Sequence, residues 1–109
     1  MKRQPVYQCM RQGTKLWVIE KKGYLFDIID HKGTPVTIAL VSKGHYWTAT
    51  HYESGLDCTP YSDKGGYEKR WRNKEELLEA VKNIDFAANS HNAAYYVNLV
   101  NQYKEASKR

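Results

Sequence analysis

Glycines recur through the first half of this chain every ten or eleven residues, at Gly13, Gly23, Gly33, Gly44 and Gly55. Four of them close short polar clusters: Lys21-Lys22-Gly23, His31-Lys32-Gly33, Ser42-Lys43-Gly44 and Glu53-Ser54-Gly55. A glycine ending a polar turn supplies the positive φ that a tight hairpin needs. Between them lie segments 15–20, 24–30, 35–41, 45–52 and 56–61, rich in Val, Ile, Thr, Tyr, Trp and Phe, the residues strands prefer. Turn signals at this interval predict consecutive antiparallel hairpins. With a further strand over 6–11, the expectation is a meander of five or six strands. The intervening segments do not resemble one another, so the period is architectural and not a repeated functional motif.

The pattern changes after Tyr61. Asp63-Lys64-Gly65-Gly66 is a loop signal. Asn73 then stands where a helix N-cap would, with Glu76 three residues on as in a capping box. Leu77, Leu78, Val81 and Ile84 follow at helical spacing and predict a first helix ending near 84–85. A second helix is expected from about Ser90, with Ala93, Tyr96, Val97, Val100 and Tyr103 on one stripe that Tyr95 and Leu99 widen. Strands first and helices afterwards make this an α+β fold. The helices should run over 73–105, packed on one side of a curved sheet, with a frayed basic tail behind them. A half-open barrel is the variant of the same pattern.

A chain of 109 residues is one domain. No run approaches the roughly 18 apolar residues of a membrane helix, and no apolar stretch follows the basic start, so no signal peptide or membrane contact is expected. Cys9 and Cys58 are too isolated for a disulfide framework or a zinc spacing. Both are expected reduced and buried, in a cytoplasmic protein. The net charge of +5 is unevenly spread. Residues 1–45 hold eight Lys and Arg against three Asp and Glu, and the remainder is balanced. A basic half favours an anionic partner.

Signals for catalysis are absent. There is no phosphate-binding glycine loop and no Gly-x-Ser-x-Gly elbow. His45 and His51 share a strand face six residues apart, about 20 Å along the strand, too far for one metal. A site pairing His51 with Cys58 across a hairpin is the remaining metal option, set against a structural cysteine and an edge histidine. Asp27 and Asp30 point to opposite faces. The expectation is a protein that is not an enzyme and uses neither cofactor nor metal.

Three patches suit binding. The first is the loop around Trp71, with Lys64, Tyr67, Lys69, Arg70 and Arg72. A tryptophan between two arginines suits base stacking beside phosphate contacts, or an acidic groove on a protein. The same tryptophan can instead staple the next helix to the sheet. The second is the strand face carrying Tyr46, Thr48, Thr50 and Tyr52, which would stack bases if open and would be core-like if covered by the helices. The third is the hairpin tips. In a meander alternate turns share one end, which would gather Lys21, Lys22 and Lys43.

None of the ribonucleoprotein, KH or zinc-finger signatures occurs. Short, basic, aromatic-rich and without catalytic motifs, the chain resembles in general style the small accessory proteins of phages and mobile elements, anti-CRISPR proteins among them, over no aligned stretch. That resemblance implies an inhibitor of nucleic-acid machinery. The expected partner is nucleic acid or a nucleic-acid-processing protein complex, with direct single-stranded DNA or RNA binding as the nearest alternative. A self-assembling structural subunit and a small enzyme are the remaining classes.

Overall fold

The computed structural model describes residues 2–60, 71–88 and 94–107. Four strands come first: β1 (Gln4–Gln12), β2 (Lys15–Ile29), β3 (Pro35–Ser42) and β4 (Trp47–His51). Helix α1 (Lys74–Val81), a 3-10 turn (Phe86–Ala88) and helix α2 (Ala94–Ser107) follow. The strands pair antiparallel in the order β1-β2-β3-β4. This is the expected α+β meander, with four strands in place of five or six.

Two expected strands merge because Gly23 is not a turn. Gly13, Gly33, Gly44 and Gly55 have positive φ, as the hairpin reading requires, but Gly23 does not. It sits within β2, whose 15 residues pair with β1 up to Gly23 and with β3 from Tyr24 onward. A Cβ there would lie 2.7 Å from the Leu40 carbonyl oxygen and just over 3 Å from methyls of Val41 and Val6. The glycine serves a close approach of strands, where the sequence pattern suggested a reversal. Lys21 and Lys22 are accordingly strand residues, paired with Val6 and Pro5, and not a hairpin tip.

The last expected strand also fails to form as such. Past β4 the ladder shrinks to a Thr50–Asp57 bridge. The Ala49 N–H goes to the Thr59 hydroxyl at 2.8 Å instead of to a neighbouring carbonyl. A side-chain acceptor so placed ends regular pairing.

Past Gly23 the β1–β2 pair leaves the β3–β4 plane and curls back toward it. The Cys9 N–H reaches the Gly55 carbonyl at 2.8 Å, joining β1 to the turn after β4. Both faces of β3 are therefore covered, which is why Ile38, Ala39, Leu40 and Val41 are all buried. Ile38 and Leu40 pack with Ile28, Ala49, Leu77, Val81 and Phe86. Ala39 and Val41 pack with Val6.

The helices divide between these regions. Asn73 caps α1, its Oδ1 accepting the Glu76 N–H at 3.0 Å, and Leu77 and Val81 carry the helix onto the core. The helix ends at Val81, before 84–85, as Lys82, Asn83 and Ile84 donate three residues back and tighten the chain. Helix α1 packs against β4, whereas α2 packs against β1 and β2. The two do not share one side, because the curled ribbon offers α2 a surface of its own. On α2, Val100 is buried, but Tyr95 is 62% exposed and does not widen the stripe. The expected start near Ser90 lies outside the described residues. The helix continues through Ser107, and Lys104 lies over the rings of Tyr52 and Tyr7 at 4.6 and 5.3 Å. Residues 108 and 109 of the expected tail lie outside the described residues. Among the described residues, no helix is long and apolar enough to cross a membrane.

Candidate functional site

Of the first predicted patch, Lys64, Tyr67, Lys69 and Arg70 lie outside the described residues. Trp71 is built into the fold. Its indole Nε1 donates to the Pro60 carbonyl at 2.7 Å, and its own carbonyl accepts the Trp47 N–H at 2.7 Å. Its ring packs against the α1-side core. Trp71 thus staples the entry of α1 to β4, and Arg72 beside it is exposed.

The second patch is closed over. Thr50 is only 2% exposed, and its Oγ1 accepts from the Gln8 side chain at 3.0 Å. Tyr52 is half-buried beneath Lys104. Tyr46 precedes β4 in the β3–β4 turn, where its carbonyl accepts the Lys43 N–H at 2.8 Å. The curl of β1 buries Thr50 and the docking of α2 half-covers Tyr52, so this is not the open sheet face that base stacking would use.

The third patch is placed by strand pairing in part. Tyr24 pairs with Leu40, so Lys21 and Lys22, just before Tyr24, and Lys43, just after β3, lie toward one end of the β2–β3 pair. All three are exposed. Lys43 stands in the β3–β4 hairpin turn, as expected, whereas Lys21 and Lys22 come from within β2.

The wider arrangement was not legible from the sequence. Lys2, Arg3, Arg11, Lys15, Lys21 and Lys22 all belong to the β1–β2 ribbon or its lead-in, and all are exposed. Residues 1–22 hold these six cations and a single acid, Glu20, so the ribbon alone accounts for the net charge of +5. The rest of the chain is neutral. Residues 10–15, around the turn at Gly13, are all exposed. Just inside the turn, Met10 and Trp17 stand directly opposite each other, 37% and 39% exposed. The missed signal was the alternation of cations with large apolar residues on either side of Gly13. A false turn at Gly23 obscured it.

Several titratable groups inside the fold are held by its own hydrogen bonds. Asp30 accepts the N–H groups of Lys32 and Thr34 on Oδ1, both at 2.9 Å, and of Phe86 on Oδ2 at 3.1 Å. Burial works against its ionisation, but the N–H groups of Thr34, Phe86 and Lys32, together with His31, outweigh it and hold the carboxyl below its usual range. His51 Nδ1 and Ser54 Oγ share a hydrogen bond of 2.8 Å, and the ring stacks on Phe86 at 5.7 Å. Cys58 is buried, whereas Cys9 is only half-buried, with its thiol donating to the Ser54 carbonyl at 3.1 Å. Burial pushes the Cys9 thiol up, away from the reactive thiolate. Among the described residues, no three His, Cys, Asp or Glu side chains converge as a metal site would require. No protein-family model, no curated protein and no solved structure matches this chain.

Proposed function

We propose that this chain is a small non-catalytic binding protein that acts on nucleic acid or on a nucleic-acid-handling protein complex. Its mode of action is occupancy: it covers an anionic surface and blocks or tunes access to it, as inhibitory accessory proteins of phages, anti-CRISPR proteins among them, would do. The observation that carries this is the segregation of charge along the chain: residues 1–22, which form the β1–β2 ribbon and its lead-in and expose all six of their cations, hold the whole net +5, and the rest of the sequence is balanced. A cationic ribbon draws polyanions and orients them on approach. The non-catalytic part is supported by the burial of a pair that resembles a nucleophile and its base. His51 and Ser54 are bonded as such pairs are, yet they are only 5% and 0% exposed.

The test is retention from a cell lysate on the tagged full chain, with and without nuclease, at low and moderate salt. Nucleic acid that is retained and released as salt rises supports direct contact. A protein complex that survives nuclease supports the second form of the same function. If neither is retained at low salt, the proposal fails.

A further inference from the structure

We propose that the outer part of the β1–β2 ribbon is a binding site for single-stranded nucleic acid, in which Trp17 stacks on a base while Arg11, Lys15 and Lys21 contact phosphates. This rests on the function proposed above and gives it a site and a class of ligand.

Exposure, position and charge coincide on this ribbon. Trp17 is one of three tryptophans, and the other two are engaged within the fold. Trp47 meets the Tyr24 ring at 6.0 Å, with Lys74 over both rings. Trp71 is hydrogen-bonded to Pro60 and packed on the core. Trp17 instead faces solvent near the end of a two-stranded ribbon, opposite Met10. More than a third of each residue stays open to solvent, apolar surface that a stacked base would cover.

Around the pair the chemistry is cationic. Lys15 lies two residues before Trp17 and, by strand alternation, on the same face. Lys21 lies on that face nearer the bend. Arg11 folds over the turn, its Nε donating to the Gly13 carbonyl at 3.2 Å, and its guanidinium remains exposed there. A ring flanked by cations on a narrow projecting ribbon is complementary to a strand whose bases are open and whose phosphates run alongside. A duplex fits less well. Its bases are stacked on one another, so an apolar ring reaches no free base face without paying for unstacking.

The test is fluorescence anisotropy with the full chain and a labelled oligothymidylate of about 16 nucleotides, the upper end of site sizes for single-strand grooves. A duplex of the same length is run in parallel at several salt concentrations. The expected result is preference for the single strand. Trp17→Ala should weaken binding about tenfold and Trp17→Phe much less, since a ring still stacks. Combined Lys15→Gln and Lys21→Gln should flatten the salt dependence by about 1.4 in log–log slope, two phosphate contacts' worth. Circular dichroism melting should place every variant at the parent's midpoint, because the positions are exposed. Equal or tighter duplex binding overturns the single-strand assignment. Single-strand binding that Trp17→Ala leaves unchanged overturns the ribbon site while the broader function stands. If neither oligonucleotide binds at low salt but a protein complex is retained from lysate, the single-strand site falls and the complex-directed function remains. If nothing is retained either, both fall.

Discussion

The carboxylate of Asp30, at the end of β2, accepts the backbone N–H of Phe86 at 3.1 Å across 56 positions of sequence. With its two bonds to Lys32 and Thr34 it organises the β2–β3 turn and ties that turn to the segment after α1. The ionised form is the one so held, and the folded chain gives up this proton at lower pH than the unfolded chain does. The stabilisation is therefore complete above the ordinary carboxylate value of about 3.9 and drains away as pH falls through the lower folded value. Urea midpoints measured from neutral pH down to the acid limb should fall below that point. Asp30→Asn should lower the midpoint at neutral pH, since its amide NH₂ would face either the Phe86 N–H or the turn's two N–H groups. It should also lose part of the acid dependence. An unchanged acid limb in this variant would assign the dependence to other carboxylates.

Gly23 offers a second check. It has no need of positive φ, yet its missing Cβ leaves room for the Leu40 carbonyl. Gly23→Ala should cost about 1–3 kcal/mol in urea unfolding, as overpacking of a tight contact does. Gly33→Ala meets no neighbour, and only its φ of 86° opposes it, so about 1 kcal/mol is expected. Loss of β1–β2 amide protection in Gly23→Ala would locate the damage at the bend.

The contrast between these glycines marks what could be read in advance. Asn73 and its capping bond, the turns at Gly13, Gly33 and Gly44, and the strand over 35–41 follow from local chemistry, and local chemistry is visible in sequence. Gly23 looks the same as its neighbours in the series, because a glycine required by a neighbouring strand and one required by a turn share one letter. The strand that closes on it decides between them, and its nearest atom, the Leu40 carbonyl oxygen, lies 17 residues on. The covering of Thr50 by Gln8 and of Tyr52 by Lys104 is likewise non-local. So the sheet face read as a platform is closed at Thr50 and half-covered at Tyr52. For the same reason the exposed ribbon stayed hidden until its two strands were known to pair alone.

The His51–Ser54 pair predicts a stability effect and no chemical one. Ser54 Oγ meets His51 Nδ1 at 2.8 Å and accepts the Leu56 N–H at 3.2 Å, shaping the turn whose Gly55 carbonyl holds Cys9. Ser54→Ala strips partners from two groups and should cost about 1–3 kcal/mol. Gly55 itself has φ of 72° and would place a Cβ 2.6 Å from the Tyr7 carbonyl, so Gly55→Ala should be at least as damaging. Denaturant midpoints decide this. A Ser54→Ala chain as stable as the parent would show that the turn is held by its backbone alone.

Trp71 and Trp17 predict opposite outcomes for the same substitution. Trp71→Phe removes the donor to the Pro60 carbonyl and part of the ring packed on the core. A loss of about 1–2 kcal/mol is expected, from one hydrogen bond and some apolar contact. Trp17→Phe, at an exposed site, should stay within about 0.5 kcal/mol of the parent. Binding should divide the other way under Ala substitution: Trp17→Ala weakens oligonucleotide binding, and Trp71→Ala acts through loss of folded chain. Measuring affinity well below each variant's melting midpoint separates the two causes. If Trp71→Ala remains folded and loses binding while Trp17→Ala keeps it, the contact surface lies with Arg72 and the basic segment before it. The ribbon's charge would then serve only to draw the partner in.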